Sequence, residues 1–314
     1  MKIAYIILAH TDPAHIARLC RKITVGTQNH AFVHVDLKQD ITPFEQACFG
    51  ISQVHFVKQR EKVYWAGFHS ITATIQAYQT ALDYGEFDYY QILQGLDYPI
   101  WSNREIDRFF EQNRGTEFIR AIDDTNATEL MVRFRYVLYW KFDSENPFIK
   151  LYHNFNFAQL LWFKHLLPVK KPYLSLHHKQ YHIYRGWAHF ALTDAAVRYI
   201  VDFYESNPEF NRYFEHVYAA DESYFHTILF NSPFVSKTVD GKPVAEEDRS
   251  YAAYLNLTYF EYPKEGVTVF THKEDYKKLL DTGYPFFRKA TSNSHELLDY
   301  IDAEHAKAEG GQSR

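Results

Sequence analysis

DYYQILQGLDYPI, residues 88–100, is the stretch on which the reading of the fold turns. It runs as a short, nearly all-apolar strand into Gly95-Leu96-Asp97 and then Pro99, so the strand is expected to end on a glycine-permitted turn presenting one carboxylate, Asp97, at its tip. In open α/β sheets, ligands collect at such strand ends. Towards the N-terminus, residues 2–9 and 31–36 read as apolar strands. Between them lies a helical pattern of Ala14, Ile16, Ala17, Leu19, Cys20 and Ile23, with Pro13 in its first turn. Residues 54–57 form a third apolar piece, and a helix is expected from about 70 to 84, burying Ile71, Ile75, Ala77, Tyr78, Ala81 and Leu82. Asn103 is expected to cap a helix carrying Ile106, Phe109 and Phe110, and residues 117–122 read as another strand. This alternation predicts an α/β fold with a central, mostly parallel sheet flanked by helices.

Towards the C-terminus the character changes. From about 133 to 180 Tyr, Trp, Phe, His and Lys dominate, which predicts an aromatic and basic helical insertion over the sheet; peripheral membrane contact through residues 148–171 is the alternative. Strand character resumes over 181–192 around Gly186. Helices are expected over 194–204 and 221–230, late strands over 256–262 and 267–270, and a closing helix over 294–305. No repeat or linker divides residues 1–305, which read as a single domain followed by a disordered tail, 306–314.

With 314 residues and 46% hydrophobic content the chain has ample material for a core. A formal charge of −5 gives no general attraction to nucleic acid or anionic membrane, so phosphate binding has to come from local clusters. Cys20 and Cys48 are too few for a disulfide framework and lack zinc-site spacing, and the apolar run at residues 1–9 is too short for a signal peptide or a membrane span. A cytoplasmic protein is therefore expected. The aromatic content, 18%, offers flat platforms for sugars and bases, although core packing accounts for most such rings.

The chain lacks G-x-G-x-x-G and the phosphate-binding G-x-x-x-x-G-K-[ST], which removes dinucleotide dehydrogenases and P-loop NTPases. The second strand ends at Asp36, a carboxylate suited to a ribose or a base edge and equally to a solvated strand end. Transfer of a sugar from a nucleotide donor must stabilise a departing diphosphate, often with a metal held by D-x-D at a strand end. Here the matching end offers Asp97 alone, leaving the diphosphate to side-chain cations such as Arg288 and Lys289, if that pair is more than surface charge. Asp221 and Glu222 open a predicted helix. Capping is the plainer reading for both, and Glu222 in an aromatic setting is the candidate general base. The 17 histidines show no metal-ligand spacing.

In this order, AYIILAH (4–10), FVHVDLK (32–38), VYWAGFHSITATIQAY (63–78), YYQILQGLDYPIWS (89–102), YRGWAHFALT (184–193), DESYFHTIL (221–229) and the run from VTVFTHK to FFRK (267–289) resemble the core-2/I-branching β-1,6-N-acetylglucosaminyltransferase family, glycosyltransferase family 14, in a bacterial form. The resemblance implies a GT-A-like fold and inverting, metal-independent transfer, without a cofactor, from a UDP-sugar, most readily UDP-GlcNAc, to a glycan or lipid-linked glycan. It implies Glu222 as base, His10, Asp36, Tyr64, Trp65, Gly95, Asp97, Arg288 and Lys289 on the donor side, and Asp221 and Trp187 on the acceptor side. Departures from the family pattern are Gln94 before the Gly-x-Asp, His189 where an aromatic is usual, and Glu265-Gly266 in place of a second cation. A xylosyl- or other hexosyltransferase of the same fold, and a non-catalytic glycan- or nucleotide-binding relative, are the alternatives.

Overall fold

The computed structural model describes residues 1–125, 135–146, 148, 170–171, 173–244, 256–263 and 266–310. Most of the expected insertion, including nearly all of 148–171, lies outside the described residues. The chain opens β1 (Ile3–Ala9), α1 (Pro13–Thr24), β2 (His30–Val35), α2 (Thr42–Ala47), β3 (Val54–Phe56), α3 (His69–Tyr84) and β4 (Tyr89–Gln94). Strands β1 to β4 are mutually parallel in the order β4-β1-β2-β3, with β1 in the middle. That position explains its unbroken apolar run, because both faces of β1 are covered. Ala4 and Ile6 face a core built with α3, while Ile3, Tyr5 and Ile7 face one built with α1.

Asp97 does not end the strand on which it was expected. After Gly95-Leu96 the chain starts a new strand, β5 (Asp97–Pro99), which belongs to a second sheet, and α4 (Asn103–Gln112) follows. Ser102, not Asn103, caps α4: its hydroxyl accepts from the Glu105 N–H and the Glu105 carboxylate accepts from the Ser102 N–H, so two otherwise orphaned donors are satisfied reciprocally. The expected strand over 117–122 reduces to single bridges at Glu117 and Phe118 and to β6 (Ile122–Asp123), because Phe118 pairs with Ala191 while Ile122 turns away to pair with Arg185.

Three short strands, β7 (Leu174–Leu176), β8 (Lys179–Tyr181) and β9 (Tyr184–Arg185), lead to β10 (Ala191–Thr193), which runs antiparallel to β4 and closes that edge of the main sheet. Helices α5 (Asp194–Ser206) and α6 (Pro208–Phe214) follow, the first capped by Thr193. The acid pair is not in the first turn of a helix: Ala220–Glu222 forms a 3₁₀ turn, and α7 (Tyr224–Phe230) begins only after Ser223. Neither Ala219 before that turn nor Ser223 before α7 makes a side-chain cap bond.

Of the late strands, β11 (Thr258–Phe260) forms, whereas residues 267–270 join Glu261 and Lys289 through backbone bonds without entering a ladder. After α8 (Asp275–Asp281), β12 (Phe286–Arg288) lies between β11 and β5 in the second sheet. The closing helix α9 (His295–Gly310) runs past the expected limit at 305 into the segment read as tail. Among the described residues no helix is long and apolar enough to cross a membrane.

Candidate functional site

The C-terminal ends of β1, β2 and β4 meet a cleft of about 380 Å³ lined by His10, His34, Asp36, Lys38, Tyr64, Trp65, Ser70, Gln94 and Asp221, among others. Parallel topology delivers the first strand ends to one edge, and the 63–68 segment before α3 folds over them. Of the residues singled out from the sequence, His10, Asp36, Tyr64, Trp65 and Asp221 therefore share one cavity.

Asp36 is nearly buried. Its Oδ1 accepts from the Lys38 N–H at 2.9 Å, and its Oδ2 pairs with Lys38 Nζ at 3.0 Å. Lys38 bends back over the Tyr64 ring, 4.2 Å from its centroid, and donates to the Val63 carbonyl, so the strand end and the covering loop are stitched together. The Tyr64 hydroxyl donates to Glu145 at 2.8 Å, which pushes its pKa up to about 12. Trp65 is 76% exposed at the rim, edge-on to Phe142 and Tyr218. The loop's other anchor is Asp143, whose Oδ2 accepts from the Phe68 and His69 N–H groups at 2.6 and 3.1 Å. It thereby caps α3, which has no side-chain cap of its own. Gly67 leaves room for it, since a Cβ there would collide with the Asp143 carboxylate and push it away.

On the opposite wall the 3₁₀ turn splits the acid pair. Asp221 faces the cleft and the small void behind it, and burial first, then the neighbouring Glu222, pushes its pKa up to about 7. Glu222 does not line the cavity. Its Oε2 accepts from Arg135 Nη1 at 2.8 Å, while Oε1 has no hydrogen bond among the described residues. Arg135 stacks over the Tyr218 ring, so Glu222 stands behind the aromatic wall that ends in Trp65. The expected aromatic setting is present, but it arrives with a guanidinium, and the acid driven towards neutrality is Asp221.

Arg288 and Lys289 end β12 and begin the following segment. They do not line the cavity, but both act electrostatically on His10, which does. Partial burial chiefly, with the nearby cations, holds His10 below the usual histidine range against the pull of Asp36, so it is neutral at pH 7. Burial and Arg288 together lower Lys289, which makes no ion pair among the described residues. Gly95 lies under the floor: its N–H donates to Leu8, and an added Cβ would sit 3.0 Å from Ile16 Cδ1 and 3.3 Å from Ala9 Cα. Close approach to β1, not a left-handed turn, requires the glycine. Asp97 has no exposed surface and lies beneath Arg288 instead of at the donor face of the cleft. Trp187 packs edge-on against Phe260 and does not line the cavity.

Arg135, Asp143, Glu145 and Tyr218 escaped the sequence reading because each acts across 70 residues or more. Their one local trace is Gly67 within the aromatic run.

A family model described as Core-2/I-Branching enzyme matches residues 3–243, three-quarters of the chain, taking in the cleft and the acid turn but not Arg288 or Lys289. Among curated proteins, xylosyltransferase 2 of Canis lupus familiaris, of Pan troglodytes and of Homo sapiens are each 21% identical to it over 247 residues, which is 76% of this chain and 26% of theirs. The chain thus spans about a quarter of the length of these curated relatives.

Proposed function

We propose, from the premise that the chain belongs to the Core-2/I-branching enzyme family, that it is a glycosyltransferase moving a sugar from a UDP-sugar to a glycan hydroxyl with inversion at the anomeric carbon. One observation carries this reading: an acid turn and a cation pair flank a single cleft at the C-terminal ends of parallel strands, the arrangement that a departing diphosphate and an incoming hydroxyl require. Asp36, Tyr64 and Trp65 surround the nucleoside. Glu222, held through Oε2 by Arg135, takes the acceptor proton on Oε1. As the acceptor oxygen bonds to the anomeric carbon, the bond to UDP breaks and its electron pair leaves with the diphosphate, whose charge Arg288 and Lys289 neutralise. The reaction needs no metal in this scheme. Among the described residues, the group that could supply three metal ligands is His272, Glu274 and Glu296, none of which lines the cleft.

UDP-GlcNAc with a β-1,6 linkage is the proposed donor and product. UDP-xylose is its rival, because the curated relatives are xylosyltransferases. One observation favours a second assignment of the base: Asp221, not Glu222, lines the cavity and has a pKa matched to neutral pH. The test is UDP release from a panel of UDP-sugars with glycan acceptors in EDTA, with the product anomer read by NMR. Donor binding without turnover across the panel would leave a non-catalytic binding protein, and retention of configuration would eliminate the single-displacement scheme.

A further inference from the structure

We propose that Asp97 and His189 are positioning residues for Arg288, a buried carboxylate–imidazole pair that fixes where the guanidinium points. The inference rests on the proposal that Arg288 meets the donor diphosphate. In the second sheet β5 and β12 run antiparallel, and Asp97 stands directly opposite Arg288, so their side chains share a face. Asp97 is fully buried and its Oδ2 accepts from the Gln94 N–H at 2.8 Å. His189, itself nearly buried, reaches in from the segment before β10. Its Nε2 lies 2.7 Å from Arg288 Nη1 and 3.4 Å from Asp97 Oδ2.

A guanidinium has donors only, so at 2.7 Å Nε2 must be the acceptor, and the imidazole is the neutral tautomer with its proton on Nδ1. The same nitrogen therefore cannot donate to Asp97, and among the described residues no hydrogen bond reaches Asp97 Oδ1, which lies 3.7 Å from Arg288 Nη1. Asp97 thus attracts the guanidinium over a distance too long for a hydrogen bond, while His189 supplies the short, directional contact. Burial disfavours the charged form of Asp97, and the Arg288 guanidinium and the Gln94 N–H counter it. With Nη1 held by neutral Nε2 and its charge balanced by Asp97, the guanidinium is oriented so that its other N–H groups meet the phosphate oxygens, and the contact with His189 persists when the donor binds. An aromatic ring in place of His189 would offer no such acceptor, so the departure from the family pattern at 189 falls where Arg288 needs a partner.

The experiment measures Kd for uridine and UDP by calorimetry, with melting temperature, for the wild type, Arg288→Ala, His189→Leu, His189→Gln and the Arg288→Ala/His189→Leu double variant. The expected result is about tenfold weaker UDP binding by His189→Leu, the size of one lost hydrogen bond to a charged group, with uridine affinity unchanged. Gln should restore most of the loss, since its amide oxygen accepts from Arg288 and its NH₂ faces Asp97. The double variant should bind UDP no more weakly than Arg288→Ala. If Arg288→Ala leaves UDP affinity intact, the diphosphate assignment itself fails. If Arg288→Ala weakens UDP but His189→Leu does not, or if His189→Leu weakens uridine as much as UDP, the positioning role is overturned.

Discussion

Asp221→Asn tests the cleft through its thermodynamics without any knowledge of the substrate. The folded-state pKa of Asp221, about 7, lies above the ordinary 3.8, so the native protein binds the proton more tightly than the unfolded chain does. For an acid shifted upward, stability is fully present below the unfolded value and is lost as pH rises through the folded one. At about 1.4 kcal/mol per unit, a gap of roughly three units destabilises the ionised protein by at most about 4 kcal/mol at pH 8, and about half of that loss develops between pH 5.5 and 8. Asparagine keeps the shape and cannot ionise. Urea denaturation of both proteins at the two pH values should therefore show the variant's advantage growing by about 2 kcal/mol on going to pH 8. Parallel pH dependence in the two proteins would refute the assignment of a strained, proton-holding acid to the cleft. The physical origin is testable in the same assay: Glu222→Gln removes the neighbouring negative charge that, after burial, holds Asp221 protonated, and should flatten the wild-type slope.

Glu222→Gln should also lower turnover by about a hundredfold or more, with donor affinity nearly unchanged, if Glu222 is the base; near-normal turnover in steady-state assays would pass that role to Asp221. UDP should bind with the same Kd in EDTA as with Mn²⁺, and a large gain in affinity with the metal by calorimetry would remove the cation-pair scheme. Lys289→Ala should weaken UDP binding by about 1.5 to 3 kcal/mol, the range for a charged hydrogen bond, and not weaken uridine. Gly67→Ala, by driving Asp143 off the first N–H groups of α3, should cost about 1 to 2 kcal/mol of stability and weaken uridine binding. An unchanged melting temperature and an unchanged Kd together would show that the loop does not depend on that contact.

The first half of the sheet was legible because its elements state their own period. Ile3–Ala9, Pro13–Thr24 and His69–Tyr84 fall within a residue or two of where the apolar pattern puts them. Ser102 carried a readable signal that was overlooked, the Ser-x-x-Glu spacing to Glu105. Asp97 was misplaced because a two-residue link between strands of different sheets resembles the end of one strand. The acid turn was mistaken for a helix start because nothing local in Ala220–Glu222 distinguishes a 3₁₀ turn from the first turn of an α-helix. The partners of the site's charges were not legible at all, since Arg135 and Glu222 are 87 positions apart and their pairing is a property of the packed fold.

The contact between Asp143 and the loop over the cleft bears on how such a chain can be altered by recombination. A helix whose capping carboxylate comes from 75 residues downstream cannot be transplanted alone. A chimera that exchanges the segment after residue 125 for a relative's inherits the α3 loop without its anchor unless an acid arrives where Asp143 stood. A chimera that exchanges the loop leaves that contact undisturbed only if it brings a glycine to position 67. The two positions form one unit of inheritance, so any library that shuffles the segment after residue 125 has to carry both together or loosen the loop over the cleft.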